Sequence, residues 1–162
     1  MKGRHILFSS RRMYPESAEI IFESDPKAFF KNIVHRRDVD PNGYIDIVSH
    51  GTSQTVQIEH NGIAVEIDWR RLANIIKRDK SLKNKPIRLL SCNTGADPNG
   101  FAQNLANKLG VKVMAPNKIL WCWPNGYHVV ASRSKVNPRI PNLGDLGEFV
   151  EFIPGGNKKW KK

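Results

Sequence analysis

The sequence predicts an α/β domain built on a mainly parallel β-sheet. Short apolar runs of strand length alternate along the chain with segments whose apolar residues recur at helical spacing. Two of these runs, Tyr44-Ile45-Asp46-Ile47-Val48-Ser49 and Pro86-Ile87-Arg88-Leu89-Leu90-Ser91, combine β-branched or leucine-rich content with a glycine-containing exit. The 162 residues fit a single domain, residues 1–162, with no linker and no internal repeat. A chain of this size buries about two thirds of its unfolded surface, enough for one core.

The elements follow in order. Residues 1–17 are polar and basic, with Pro15 near their end, and read as a loose basic arm or an edge strand. Ala18 to Glu23 is a first strand. Ser24 or Asp25 caps a helix running to about Arg37, with Pro26 in its first turn and Phe29, Phe30, Ile33 and Val34 on its core face. Asp40 to Gly43 is a turn, and the next strand ends at His50-Gly51. Gln57 to Val65 is a β-hairpin centred on Asn61-Gly62, the pair that best tolerates positive φ at both central positions. Asp68 caps a helix from Trp69 to about Arg78, and Lys77 to Lys85 is a basic connection.

The strand to Cys92 follows, then a loop from Asn93 to Gly100, then a helix over 101–109 that Gly110 ends. Lys112 to Ala115 is a strand. Ile119–Trp123 and Tyr127–Ser132 flank Pro124-Asn125-Gly126 as a hairpin. Residues 133–147 hold Pro138, Pro141, Gly144 and Gly147 and read mostly as loop; Glu148 to Ile153 alternates as a late strand. Residues 155–162 are a basic tail with four lysines.

A hydrophobic fraction of 40% and a charged fraction of 25% are ordinary for a globular protein, but the net charge of +11 is not. It favours an acidic partner (nucleic acid, anionic lipid or an acidic protein) over a solvated surface no more than evenly. The two cysteines, Cys92 and Cys122, make no disulfide framework, which points to a reducing compartment or to free thiols, and they lack the histidines of a structural zinc site. The N-terminus lacks the apolar core of a secretory signal. No run approaches the roughly 20 apolar residues that span a membrane.

Two strands ending in histidine and cysteine are the chemical core of the sequence. Ligands bind at the carboxyl edge of parallel sheets. His50 would take the Cys92 thiol proton and later protonate a leaving amine. The backbone N–H groups of Gly51 and Cys92 would hold the oxyanion. The spacing of 92 − 50 = 42 residues is by itself weak support. Free cysteine is commonly a small buried hydrophobe, and a histidine at a strand end is commonly just hydrogen-bonded.

The wording of the motifs adds to this. Val48-Ser49-His50-Gly51 and Leu89-Leu90-Ser91-Cys92-Asn93-Thr94-Gly95 resemble the caspase-like cysteine peptidase superfamily, and most closely its CHAT branch. Ser91 abuts Cys92, where that branch typically has an alanine between them. The resemblance covers roughly residues 44–121. It implies a caspase-like three-layer sandwich: a mainly parallel central sheet, helices on both faces and β-hairpin additions. It also implies a cysteine peptidase acting on protein, with His50 as base and Cys92 as nucleophile, Gly51 and Cys92 lending the oxyanion hole, and no metal or cofactor. A small basic domain with this dyad is similar to the toxin or effector part of bacterial polymorphic or injected toxins. By that analogy it would be delivered into a reducing cytoplasm within a larger secreted protein, with an inhibitory (immunity) or activating partner.

Residues near the strand ends and in later loops would set substrate choice. These are Asp46, Asp97, Trp121, Trp123 and Ser132-Arg133-Ser134-Lys135, against simpler readings as turn, core or solvated residues. Arg133 and Lys135 would favour an acidic side chain. The competing class is a nucleic-acid-binding or nuclease domain, supported by the charge and by Lys158-Lys159-Trp160-Lys161-Lys162. No carboxylate cluster suits Mg²⁺. A third reading is an inactive caspase-like binding module.

Overall fold

The computed structural model describes residues 5–7, 44–60 and 63–156 of the chain. In order the strands and helices are β1 (His5–Leu7), β2 (Ile45–Val48), β3 (His50–Gly51), β4 (Val56–His60), β5 (Ile63–Ile67), α1 (Trp69–Lys77), β6 (Ile87–Leu90), α2 (Phe101–Leu109), β7 (Val113–Pro116), β8 (Ile119–Cys122), β9 (His128–Arg133), β10 (Pro141–Leu146) and β11 (Phe149–Phe152). A short 3-10 turn, Lys80–Leu82, follows α1. The expected strand at 18–23, the helix to Arg37, the Asp40–Gly43 turn and the tail beyond 156 lie outside the described residues.

The fold is mixed α/β around a five-stranded sheet ordered β1–β2–β6–β7–β11. The first four strands run parallel, and β11 closes the far edge antiparallel to β7. Of the two alternatives for the N-terminal arm, its described residues form the edge strand. β3–β4–β5 and β8–β9–β10 make two further three-stranded sheets. β4 and β5 pair antiparallel out to His60 and Ile63, and the expected Asn61-Gly62 turn between them lies outside the described residues.

Strand alternation sorts the sheet into two faces. Ile45, Ile47, Ile87, Leu89, Val113 and Ala115 join the main core with Leu72 and Ile76 of α1 and Phe101 and Leu105 of α2. Asp68 caps α1 as expected, its carboxylate accepting the Arg71 N–H at 3.0 Å. Gly110 ends α2 at φ +70°, a conformation costly for a residue with a Cβ. The two helices pack against each other and so share one face. The expected arrangement of helices on both faces is therefore not seen among the described residues. The reason is topological: β2, β6 and β7 step in one direction across the sheet, and right-handed crossovers then place both helices on the same side.

On the opposite face the His128 ring meets Phe149 edge-on at 6.1 Å, so the β8–β9 ribbon approaches that side of the sheet. β10 is a second departure. Residues 141–146 read as loop because of their proline and glycine, yet they pair antiparallel with β9, with a register break between Asn142 and Leu146. A proline at the first position of an edge strand costs no ladder bond, and pairing to β9 overrides weak local preference.

Candidate functional site

The register between β2 and β6 builds the site. Ile45 pairs with Ile87, Asp46 with Arg88, Ile47 with Leu89 and Val48 with Leu90, a constant offset of 42. One residue further on, the Ser49 and Ser91 hydroxyls lie 3.0 Å apart, both buried. The Ser49 N–H also donates to the Leu90 carbonyl at 3.4 Å. The next residues at the same offset are His50 and Cys92. Both strands thus end level, at the carboxyl edge of neighbouring parallel strands. After Ser49 the chain turns into β3, where His50 pairs with Gln57 and Gly51 with Val56. His50 is half-buried, with its Nε2 enclosed.

Gly51 is required by a close approach, not by its own φ. A Cβ at this position would lie 2.7 Å from Thr94 Cγ2, 2.9 Å from the Cys92 carbonyl oxygen and 2.9 Å from Ser91 Cβ. The His50-Gly51 backbone is therefore seated directly on the Ser91–Thr94 turn. That turn is fixed in its own right. Asn93 adopts a positive φ of 61°. The Thr94 hydroxyl donates to the Ser91 carbonyl at 3.0 Å. The Asn93 and Gly95 N–H groups donate to the carbonyls of Lys118 and Pro116.

Cys92 is half-buried against β8. Its Sγ accepts the Leu120 N–H at 3.3 Å and lies 3.9 Å from the Leu120 carbonyl oxygen. Burial pushes the thiol above the ordinary cysteine range, opposed by the Leu120 N–H, by the positive charge of Arg133 and by the Cys92 N–H. The resting sulfur is thus a protonated thiol that needs a base to react.

The chain matches the family described as a domain of unknown function, DUF8616, over residues 18–130. It belongs to the DUF8616 family. No curated protein and no solved structure matches it. The DUF8616 match takes in His50, Gly51 and Cys92 and stops within β9, before Ser132 and Arg133.

The residues expected to choose a substrate for this DUF8616 domain fall in different places. Asp46 is a correction. It is fully buried and grips Arg88 through two hydrogen bonds of 2.8 Å, so its carboxylate ties β2 to β6 and does not face a substrate. Asp97 is a turn residue: it accepts the Asn99 N–H at 2.9 Å and the Gln54 side-chain amide at 2.8 Å. Ser132 donates its hydroxyl to Asp145 at 2.7 Å. Trp121 and Arg133 do come together, with the guanidinium 5.6 Å from the indole centroid. Trp121 donates Nε1–H to the Ala131 carbonyl at 3.0 Å, and Arg133 donates to the Pro138 carbonyl at 2.8 Å. This pair adjoins the β8 residue that holds the Cys92 sulfur.

Sequence reasoning missed the Ser49–Ser91 pair, which carries no signal until β2 and β6 are set side by side, and Leu120, which carries none until β8 packs against Cys92. It also missed Asp145, whose carboxyl is held below the usual range by its hydrogen bonds from Lys118 and Ser132. Among the described residues no cluster of His, Cys, Asp and Glu is placed to hold a metal ion. No helix among them is long and apolar enough to cross a membrane.

Proposed function

We propose that the chain is a caspase-like cysteine endopeptidase related to the CHAT branch, with His50 as general base and Cys92 as nucleophile. The observation that carries this reading is the constant register of β2 and β6, which ends the two strands level at Val48 and Leu90, two residues before His50 and Cys92. The imidazole takes the Sγ proton as sulfur attacks the scissile carbonyl carbon. The N–H groups of Gly51 and Cys92 hold the oxyanion. The intermediate collapses to a thioester as His50 returns the proton to the departing amine. Water, deprotonated by His50, then attacks the thioester; the C–S bond breaks, the acyl part leaves as a carboxylic acid, and the proton on His50 returns to the Cys92 sulfur. Burial favours the protonated thiol, so the attack needs His50 to take the proton. Arg133, stacked on Trp121 beside β8, suits an acidic substrate side chain. By analogy, the domain would serve as a toxin or effector acting in a reducing cytoplasm, under an inhibitory or activating partner.

The raised thiol pKa and its engagement with Leu120 favour a second reading, a caspase-like binding module without turnover. One comparison separates the two: new protein N-termini in a lysate treated with wild type or with Cys92→Ala. Termini that appear only with wild type support the peptidase. None at any pH from 6 to 9 with reductant present, together with partner capture that survives Cys92→Ala, selects the binding module.

A further inference from the structure

A cavity of about 570 Å³ lies at the amino end of the sheet, the opposite end from His50 and Cys92. Its walls come from the end of α1, the 3-10 turn, the start of β6 and the residues around the end of α2. The floor is aliphatic: Ile76, Leu82, Ile87, Leu109 and Val111. Around it stand Lys77, Lys80, Lys83 and Lys85, all exposed, against one carboxylate among the described residues, Asp79.

Two observations indicate what such a cavity takes. One cation in the last turn of α1 is accounted for by the helix dipole, and Lys77 occupies that place. Lys80, Lys83 and Lys85 lie beyond the helix end and make this rim positively charged, which suits an anion. Among the described residues the aliphatic floor offers no ring on which a nucleobase could stack. Pockets of this volume, apolar with a few convergent charges, suit small ligands.

We propose that this cavity binds a single-chain amphipathic anion, an acyl chain lying on the aliphatic floor with its carboxylate among the lysines. The site is independent of the His50–Cys92 chemistry and stands whether or not the chain is a peptidase.

Calorimetric titration of the full chain with octanoate and decanoate, both kept monomeric, tests it. Decanoate binds one to one and about fifteenfold tighter than octanoate, since each buried CH₂ strengthens binding about fourfold. Decyltrimethylammonium, with the same chain and the opposite charge, binds at least tenfold more weakly. The double variant Lys83→Glu/Lys85→Glu weakens decanoate tenfold or more with an unchanged melting temperature. These lysines are exposed, so their reversal decides the matter even where a floor variant such as Val111→Trp lowers stability. Absence of saturable decanoate binding up to millimolar concentration overturns the proposal. So does equal affinity for the cationic analogue, or binding to anionic vesicles without binding to monomeric decanoate.

Discussion

The Ser49 and Ser91 hydroxyls share a buried hydrogen bond of 3.0 Å one residue before His50 and Cys92. This contact locks the ends of two parallel strands at the same height, and whatever the two following side chains do depends on it. Removing one hydroxyl leaves the other buried without that partner, which costs about 1–3 kcal/mol. Ser49→Ala and Ser91→Ala are each expected to lower stability by that amount. The double variant is expected to cost less than the two singles summed, as read from urea midpoints in a double-mutant cycle.

Gly51 leaves no room for a methyl group above Cys92. Its Cβ would meet backbone and Thr94 at 2.7–2.9 Å, and the neighbours are held by their own hydrogen bonds. Gly51→Ala is expected to destabilise the domain by about 1–3 kcal/mol through overpacking. If the site is a peptidase, the displacement of His50 from Cys92 is expected to lower kcat about a hundredfold, beyond what the stability loss explains. Cleavage assays well below the melting temperature separate the two effects.

The Asp46–Arg88 pair is buried at 0% and 3% side-chain exposure, and Phe149 stacks 5.6 Å from the guanidinium. A pair of this kind joins β2 to β6 two rungs below Val48 and Leu90. Asp46→Asn is expected to cost about 3–5 kcal/mol, because it strands a buried charge. Asp46→Leu combined with Arg88→Met is expected to recover most of that loss. Chemical denaturation of the three variants checks both expectations.

The thiol of Cys92 carries a pH signature. Burial raises its pKa, so the folded state holds the proton more tightly than the unfolded chain does. Its contribution to stability is complete below the ordinary cysteine range and is lost as pH rises through that range toward the folded value. Alkylation of Cys92 by iodoacetamide, followed by peptide mass spectrometry, is expected to be slow at pH 7 and to rise with a midpoint above about 8.5. Arg133→Gln removes a positive charge that lowers this pKa, and is expected to move the midpoint higher still.

Much of the framework was legible in the sequence because local chemistry fixes it. Asp68 and Gly110 mark the helix ends where their side chain or lack of one dictates. The apolar runs at Ile45–Val48 and Ile87–Leu90 are strands because they are too short and too β-branched or leucine-rich for much else. His50 and Cys92 could be named from the motifs that end those runs. What the chain order could not supply is the partner of each group. Asp46 reads as a pocket residue, a group that orients its neighbours or a solvent-facing carboxylate until Arg88 is set opposite it, and Ser132 reads as a pocket residue until β10 brings Asp145 to its hydroxyl. β10 itself is a strand only because β9 offers it an edge. Register, crossover direction and the burial of a thiol are properties of pairs of segments, and pairs form only when the chain folds.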